Sequence, residues 1–213
     1  MKNILYSTIA CILVLSLPLC LSAQQDSLGK KEIKTLLKGG KGEKGGYATL
    51  WAGYSSINGH DGFSYGLNAA VLLGHSFGIG VAGSGFSNEY FFDHPSGANY
   101  QSLQGGYGGL LLEPVIFPRF PVHVSFPVVI GIGAVAQMDA YYWGSFDYEY
   151  YYRDADLFFV AEPGIDLEVN LVKHLRLAVG AKYRITSPTQ LPSFANDALN
   201  GFSVNLAMKF GKF

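Results

Sequence analysis

A chain of 213 residues suits one domain, and its 15 Lys and Arg against 16 Asp and Glu leave no global basic field to recruit nucleic acid. Both cysteines, Cys11 and Cys20, lie in the apolar N-terminal segment, so the rest of the chain has neither a disulfide framework nor thiol chemistry. Gly62 to Asn88 runs 27 residues without one Asp, Glu, Lys or Arg, which is foreign to a water-exposed surface.

In chain order, residues 1–23 read as a secretory signal peptide. A short basic start at Lys2 precedes the apolar run Ile4 to Leu21, and Ala23 is a small residue before Gln24. Leu19 is large where lipid attachment at Cys20 requires a small residue. Without Lys2 the chain keeps 14 basic against 16 acidic residues. Residues 24–45 form a Lys/Gly-rich periplasmic tail with Lys30, Lys31, Lys34, Lys38, Lys41 and Lys44. Gly39–Gly40 and Gly45–Gly46 break up any helix that Ile33, Leu36 and Leu37 can start.

From residue 46 the apolar period becomes two. Phe63, Tyr65, Leu67, Ala69 and Val71 alternate with Ser64, Gly66, Asn68 and Ala70, and Phe202, Val204, Leu206, Met208 and Phe210 alternate with Ser203, Asn205, Ala207 and Lys209. Successive side chains of a strand leave opposite faces, so this is strand periodicity. Eight strands are predicted at 47–56, 63–74, 77–88, 105–117, 121–137, 157–170, 174–185 and 201–213. The connections after strands two, four and six are tight, at His75–Ser76, Pro118–Phe120 and Leu171–Lys173. Those after three, five and seven are long, at 89–104, 138–156 and 186–200, and the first, Ile57 to Gly62, is intermediate. Short turns at one end and long loops at the other characterise transmembrane β-barrels.

Period two fits a soluble lipocalin-like carrier as well as a membrane barrel, and charge placement separates them. The polar face of strands two and three holds Gly, Ala, Ser and Asn, which suits a narrow lumen, while the Leu, Val, Ile and Phe face suits hydrocarbon. Glu162, Asp166 and Glu168 share the inward parity of strand six, Arg176, Lys182 and Arg184 that of strand seven, and Glu113 joins them from strand four. These seven are predicted to form a lumenal ion-pair network, because Arg or Lys on the lipid face costs about 2–4 kcal/mol near the midplane.

With its signal peptide, alternating strands, unequal connections and C-terminal Phe213, the chain resembles the small OmpA/OmpX-type outer-membrane barrels and the outer membrane beta-barrel proteins of Bacteroidota. The resemblance covers residues 46–213 and is architectural. It implies an eight-stranded antiparallel up-and-down transmembrane barrel in the outer membrane of a Gram-negative cell, exported through the Sec route. It also implies contact with outer-membrane lipid and recognition of the strand ending at Phe213 by the barrel-insertion machinery. Phe213 is out of step with Phe210 and Met208, so a bulge at Gly211 is expected to bring it into parity.

The segment from Tyr141 to Tyr152 packs eight aromatic residues into twelve: Tyr141, Tyr142, Trp143, Phe146, Tyr148, Tyr150, Tyr151 and Tyr152. It falls in the longest external loop. Rings with polar edges favour a membrane boundary, so a girdle or protruding sheet is expected, with an extracellular protein or glycan as the partner of a binding patch. Tyr90, Phe91 and Phe92 extend the patch.

Three groups of residues bear on chemistry. The spacing of His123 and Ser125 is similar to that of outer-membrane lipid A deacylases, but their parity points into the lumen at the short-turn end. His60–Asp61 and Asp93–His94 lack a strict metal spacing, and Gly78–Gly80 and Gly105–Gly109 sit on strands, without the strand-to-helix turn that cradles phosphate. The expectation is a protein without cofactor, metal or catalytic residue. It is structural, with possible loop binding, and a lipid-modifying enzyme and a soluble carrier are the alternatives.

Overall fold

The computed structural model describes residues 45–92, 99–142, 148–191 and 194–213. The strands are β1 (Gly45–Ile57), β2 (His60–Leu73), β3 (Phe77–Phe92), β4 (Asn99–Ile116), β5 (Val122–Ser125), β6 (Val128–Tyr142), β7 (Tyr148–Val172), β8 (Leu175–Thr186) and β9 (Gly201–Lys212). Each is antiparallel to its neighbours, and β1 pairs with β2 on one edge and β9 on the other, so the sheet closes on itself. β5 and β6 are two pieces of one stave between β4 and β7, which makes the ring an eight-stranded up-and-down barrel. Closure leaves no unpaired sheet edge.

The break between β5 and β6 has a covalent cause. Pro127 has no N–H to donate to a ladder. Pairing continues through the backbone on both sides: Phe126 N donates to Pro114 O at 2.9 Å, and Gly164 N donates to Pro127 O at 2.8 Å.

Several boundaries differ from the sequence expectation. β3, β4, β6 and β7 run further into the segments expected to be loops, because the aromatic residues there are good strand formers. The first connection, expected to be intermediate, is a two-residue turn. Asn58 and Gly59 both have positive φ, 53° and 75°, and Ile57 pairs with His60. Asn-Gly is the pair that tolerates that conformation in a hairpin. The register of β9 on β1 runs unbroken through Gly211 and Lys212, so the expected bulge at Gly211 does not form. Irregularities fall instead on β7, at the Gln137/Met138 step of its pairing with β6 and at the Asn170/Val172 step of its pairing with β8.

Alternation then sorts the side chains. Leu50, Leu67, Val81, Leu110, Ile130, Ile132, Leu167, Val179 and Leu206 are exposed on the outer wall. Glu113, Glu162, Asp166, Glu168, Arg176, Lys182, Arg184 and Lys209 are all buried inside. The long β8–β9 connection folds back over the lumen: Leu191, Ala198 and Leu199 are buried, Asn58 N donates to Ala198 O, and Arg184 Nε donates to Leu199 O, both at 2.7 Å. Gln190 N and Asp156 Oδ2, also 2.7 Å apart, tie this cap to β7.

Candidate functional site

The interior is organised around Lys209, a residue the sequence places on the inward parity of the last strand but which was not counted in the predicted network. Its Nζ donates to Glu168 Oε1 at 2.6 Å and Glu113 Oε1 at 2.7 Å, and lies 3.9 Å from Asp166 Oδ2. It is 2% exposed. Glu168 also receives Ser125 Oγ–H at 2.5 Å, and its other oxygen meets His123 Nε2 at 3.0 Å and Arg176 Nη1 at 3.4 Å. Tyr47 OH donates to the second oxygen of Glu113 at 2.7 Å. A carboxylate buried away from water is tolerable when its lone pairs are filled in this way.

Four of the seven predicted residues, Glu113, Asp166, Glu168 and Arg176, therefore meet at this centre. The other three lie elsewhere. Glu162 accepts Tyr107 OH at 2.6 Å, Lys182 Nζ sits 3.7 Å over the Trp51 ring, and Arg184 lies 4.5 Å over Phe86. The register explains the split: Glu168 and Asp166 stand opposite Ala178 and Gly180, not opposite the basic residues of β8. A Cβ at Gly180 would collide with Asp166 Oδ1, so the missing side chain is what admits that carboxylate.

Above the Lys209 centre is a cavity of about 10 Å³ among Thr49, Trp51, Asn68, Glu162, Asp166 and Asn205. Each of the six contributes a buried polar atom that no group among the described residues satisfies. A space of roughly this size with several polar partners is what one ordered water needs.

Phe213 turns inward. Its ring stacks on Tyr47 at 5.9 Å between centroids and carries the Arg176 guanidinium at 3.7 Å, closing the short-turn end. Phe213→Ala is expected to lower stability by about 1–2 kcal/mol, from the lost ring contact and cation–π pair, measured by urea unfolding of the reconstituted protein. A loss no larger than that of Phe210→Ala on the outer wall would contradict this role.

His123 and Ser125 are both buried and bind the same carboxylate, so the histidine is engaged with Glu168 and Ser125 donates to it as well. In a Ser–His pair the serine proton passes to the histidine, whereas here Ser125 Oγ–H is directed to Glu168. Asp61 accepts Tyr54 OH at 2.8 Å. Asp93 and His94 lie outside the described residues, and no group of three or more candidate metal ligands occurs among the described ones. Trp143 and Phe146 also lie outside the described residues. Tyr141 and Tyr142 are placed by backbone at the end of β6, and Tyr148, Tyr150, Tyr151 and Tyr152 at the start of β7. Of these side chains, Tyr152 is described, and it is exposed.

Two aromatic belts went unrecognised in the sequence. Tyr54, Phe63, Tyr65, Tyr183 and Phe202 are exposed toward the long-loop end of the outer wall, and Phe77, Phe117, Phe120 and Phe210 toward the short-turn end. The signal was available for the rings on strands, which keep the outward parity near a strand end, whereas Phe117 and Phe120 lie in the β4–β5 turn.

Fold and polarity together define a small closed antiparallel barrel with an apolar exterior and a charged interior. Solved structures of similar outline include Neisserial surface protein A (13% identity over 80% of this chain and 97% of that one, TM-score 0.45). Others are a major outer membrane protein from Thermus thermophilus (10%, 78% and 98%, TM-score 0.47) and Ail, the attachment invasion locus protein of Yersinia pestis (13%, 80% and 99%, TM-score 0.43). No protein-family model matches the chain. Comparison with curated proteins finds no match.

Proposed function

We propose that this chain is a non-enzymatic integral protein of the Gram-negative outer membrane, exported with cleavage of residues 1–23, whose long-loop end carries a binding surface. The carrying observation is the inverted polarity: eight charged side chains are buried in the lumen while aliphatic residues on every stave are exposed. Water would reverse that arrangement, whereas hydrocarbon favours it. The dimensions agree. Leu175 to Ile185 of β8 covers ten residue steps, which at about 3.3 Å each and a tilt near 40° makes an apolar height of about 25 Å.

The lumen is filled from the Phe213 floor through the Lys209 centre to the β8–β9 cap, which favours an anchoring and display role over transport. The aromatic run from Tyr141 to Tyr152 is the surface proposed for an extracellular protein or glycan. On intact cells, added protease is expected to cut within 139–156 and leave the barrel in the membrane fraction, with a heat-dependent gel shift of the detergent extract. A mature polypeptide that stayed monodisperse in buffer without detergent would support the soluble carrier instead. A change in lipid A mass on expression, abolished by Ser125→Ala, would favour the enzyme.

A further inference from the structure

The short-turn end of the barrel is built differently from its opposite end. A recess of about 370 Å³ opens there, lined by His75, Arg119, Asn170, Lys173, Arg176 and Phe213 among others, and among the described residues no Asp or Glu lines it. A second recess of about 310 Å³ adjoins it and shares His75, Pro118 and Arg119. At the long-loop end the described charges include Asp61, Asp154, Asp156 and Asp197.

Arg176 is 5% exposed, yet its Nε–H has no acceptor among the described residues. One of its other nitrogens reaches Glu168, and its flat face rests on Phe213. Glu168 is the acid that Arg176 contacts, and that carboxylate is shared with Lys209. Arg119 and Lys173 therefore carry the recess's surplus positive charge, and the Arg176 Nε–H is a spare donor.

Its walls are held in uncommon backbone conformations. His75 and Phe117 have φ of 63° and 56°, in the left-handed region that costs a bulky side chain energy. Asn170 Nδ2 donates to Phe120 O at 3.0 Å and anchors the β4–β5 turn to β7. The turn carries Arg119 on the recess while Phe117 and Phe120, 68% and 60% exposed and edge-to-face at 5.7 Å, sit beside it with exposed Val172. A basic hollow bordered by exposed rings matches a ligand with an anionic head and an apolar body.

We propose that this recess binds the headgroup of an anionic phospholipid from the leaflet on the short-turn side. The phosphate lies between Arg119, Lys173 and Arg176, and the acyl chains lie along Phe117, Phe120 and Val172. Arg supplies paired donors to phosphate oxygens and Lys a mobile point charge. The inference rests on the membrane-spanning reading above.

The test uses the mature barrel refolded into phosphatidylcholine vesicles with and without phosphatidylglycerol, then extracted gently and weighed by native mass spectrometry. Selective retention of phosphatidylglycerol is expected. Arg119→Ala with Lys173→Ala, both at surface turns, should weaken retention roughly 25-fold, at about fivefold per basic residue near an anionic surface, while the heat-dependent gel shift stays intact. Equal retention of the two lipids, or no effect of the double variant on a correctly shifted barrel, overturns the headgroup site and leaves the membrane reading standing. Full displacement by excess inorganic phosphate overturns it in favour of a free-anion site. Failure to insert into either vesicle overturns both readings.

Discussion

Lys209→Met is expected to destabilise the reconstituted barrel by about 3–5 kcal/mol, the cost of breaking a buried ion pair from one side. Its ammonium is the shared partner of Glu113 and Glu168 and is 3.9 Å from Asp166. Removing it leaves three buried carboxylates, of which Glu168 keeps an ion-paired cation, Arg176, among the described residues. The measurement is urea unfolding in vesicles, read by the fraction of protein keeping the compact gel band. Adding Glu113→Gln to the methionine variant should recover part of the loss, because one of the uncompensated charges disappears. A cost below about 1 kcal/mol would show that the Lys209 centre is solvated or that the acids take up protons without penalty.

The second large effect is on the opposite face. Leu206→Arg should cost about 2–4 kcal/mol in a bilayer. Leu206 is 59% exposed, pairs with Val179, and lies midway between the outward aromatics Phe202 and Phe210 of β9. An arginine there has no short route to either interface. On a water-soluble barrel the same substitution at so exposed a site would change stability by no more than about 0.5 kcal/mol. The result separates the two environments by itself, and a near-neutral outcome would remove the basis of the proposed function. Leu206→Ala serves as the control for lost packing.

The alternating strands were readable from residues alone because period two is a local property of extended backbone. The inward parity of Glu113, Glu162, Asp166, Glu168, Arg176, Lys182 and Arg184 was legible on the same ground, and all seven are buried. Partner choice was less accessible. Arg176 meets Glu168 while Lys182 and Arg184 lie over aromatic rings, and this depends on a register of β7 against β8 that no local pattern states. Lys209 was missed for a related reason. Its acids come from β4 and β7, and only closure of the ring brings the last strand near both.

The ends of the barrel show the same division. Sequence alone settled that the chain makes antiparallel strands with one apolar and one polar face, because strand pleat and residue type suffice for that. Tertiary structure decided that the β8–β9 loop caps the lumen, that Phe213 closes its floor without a bulge at Gly211, and that three separate turns assemble one basic recess. Those features join residues far apart in the chain. Their positions follow from strand stagger and ring closure, which are properties of the whole sheet and not of any segment within it.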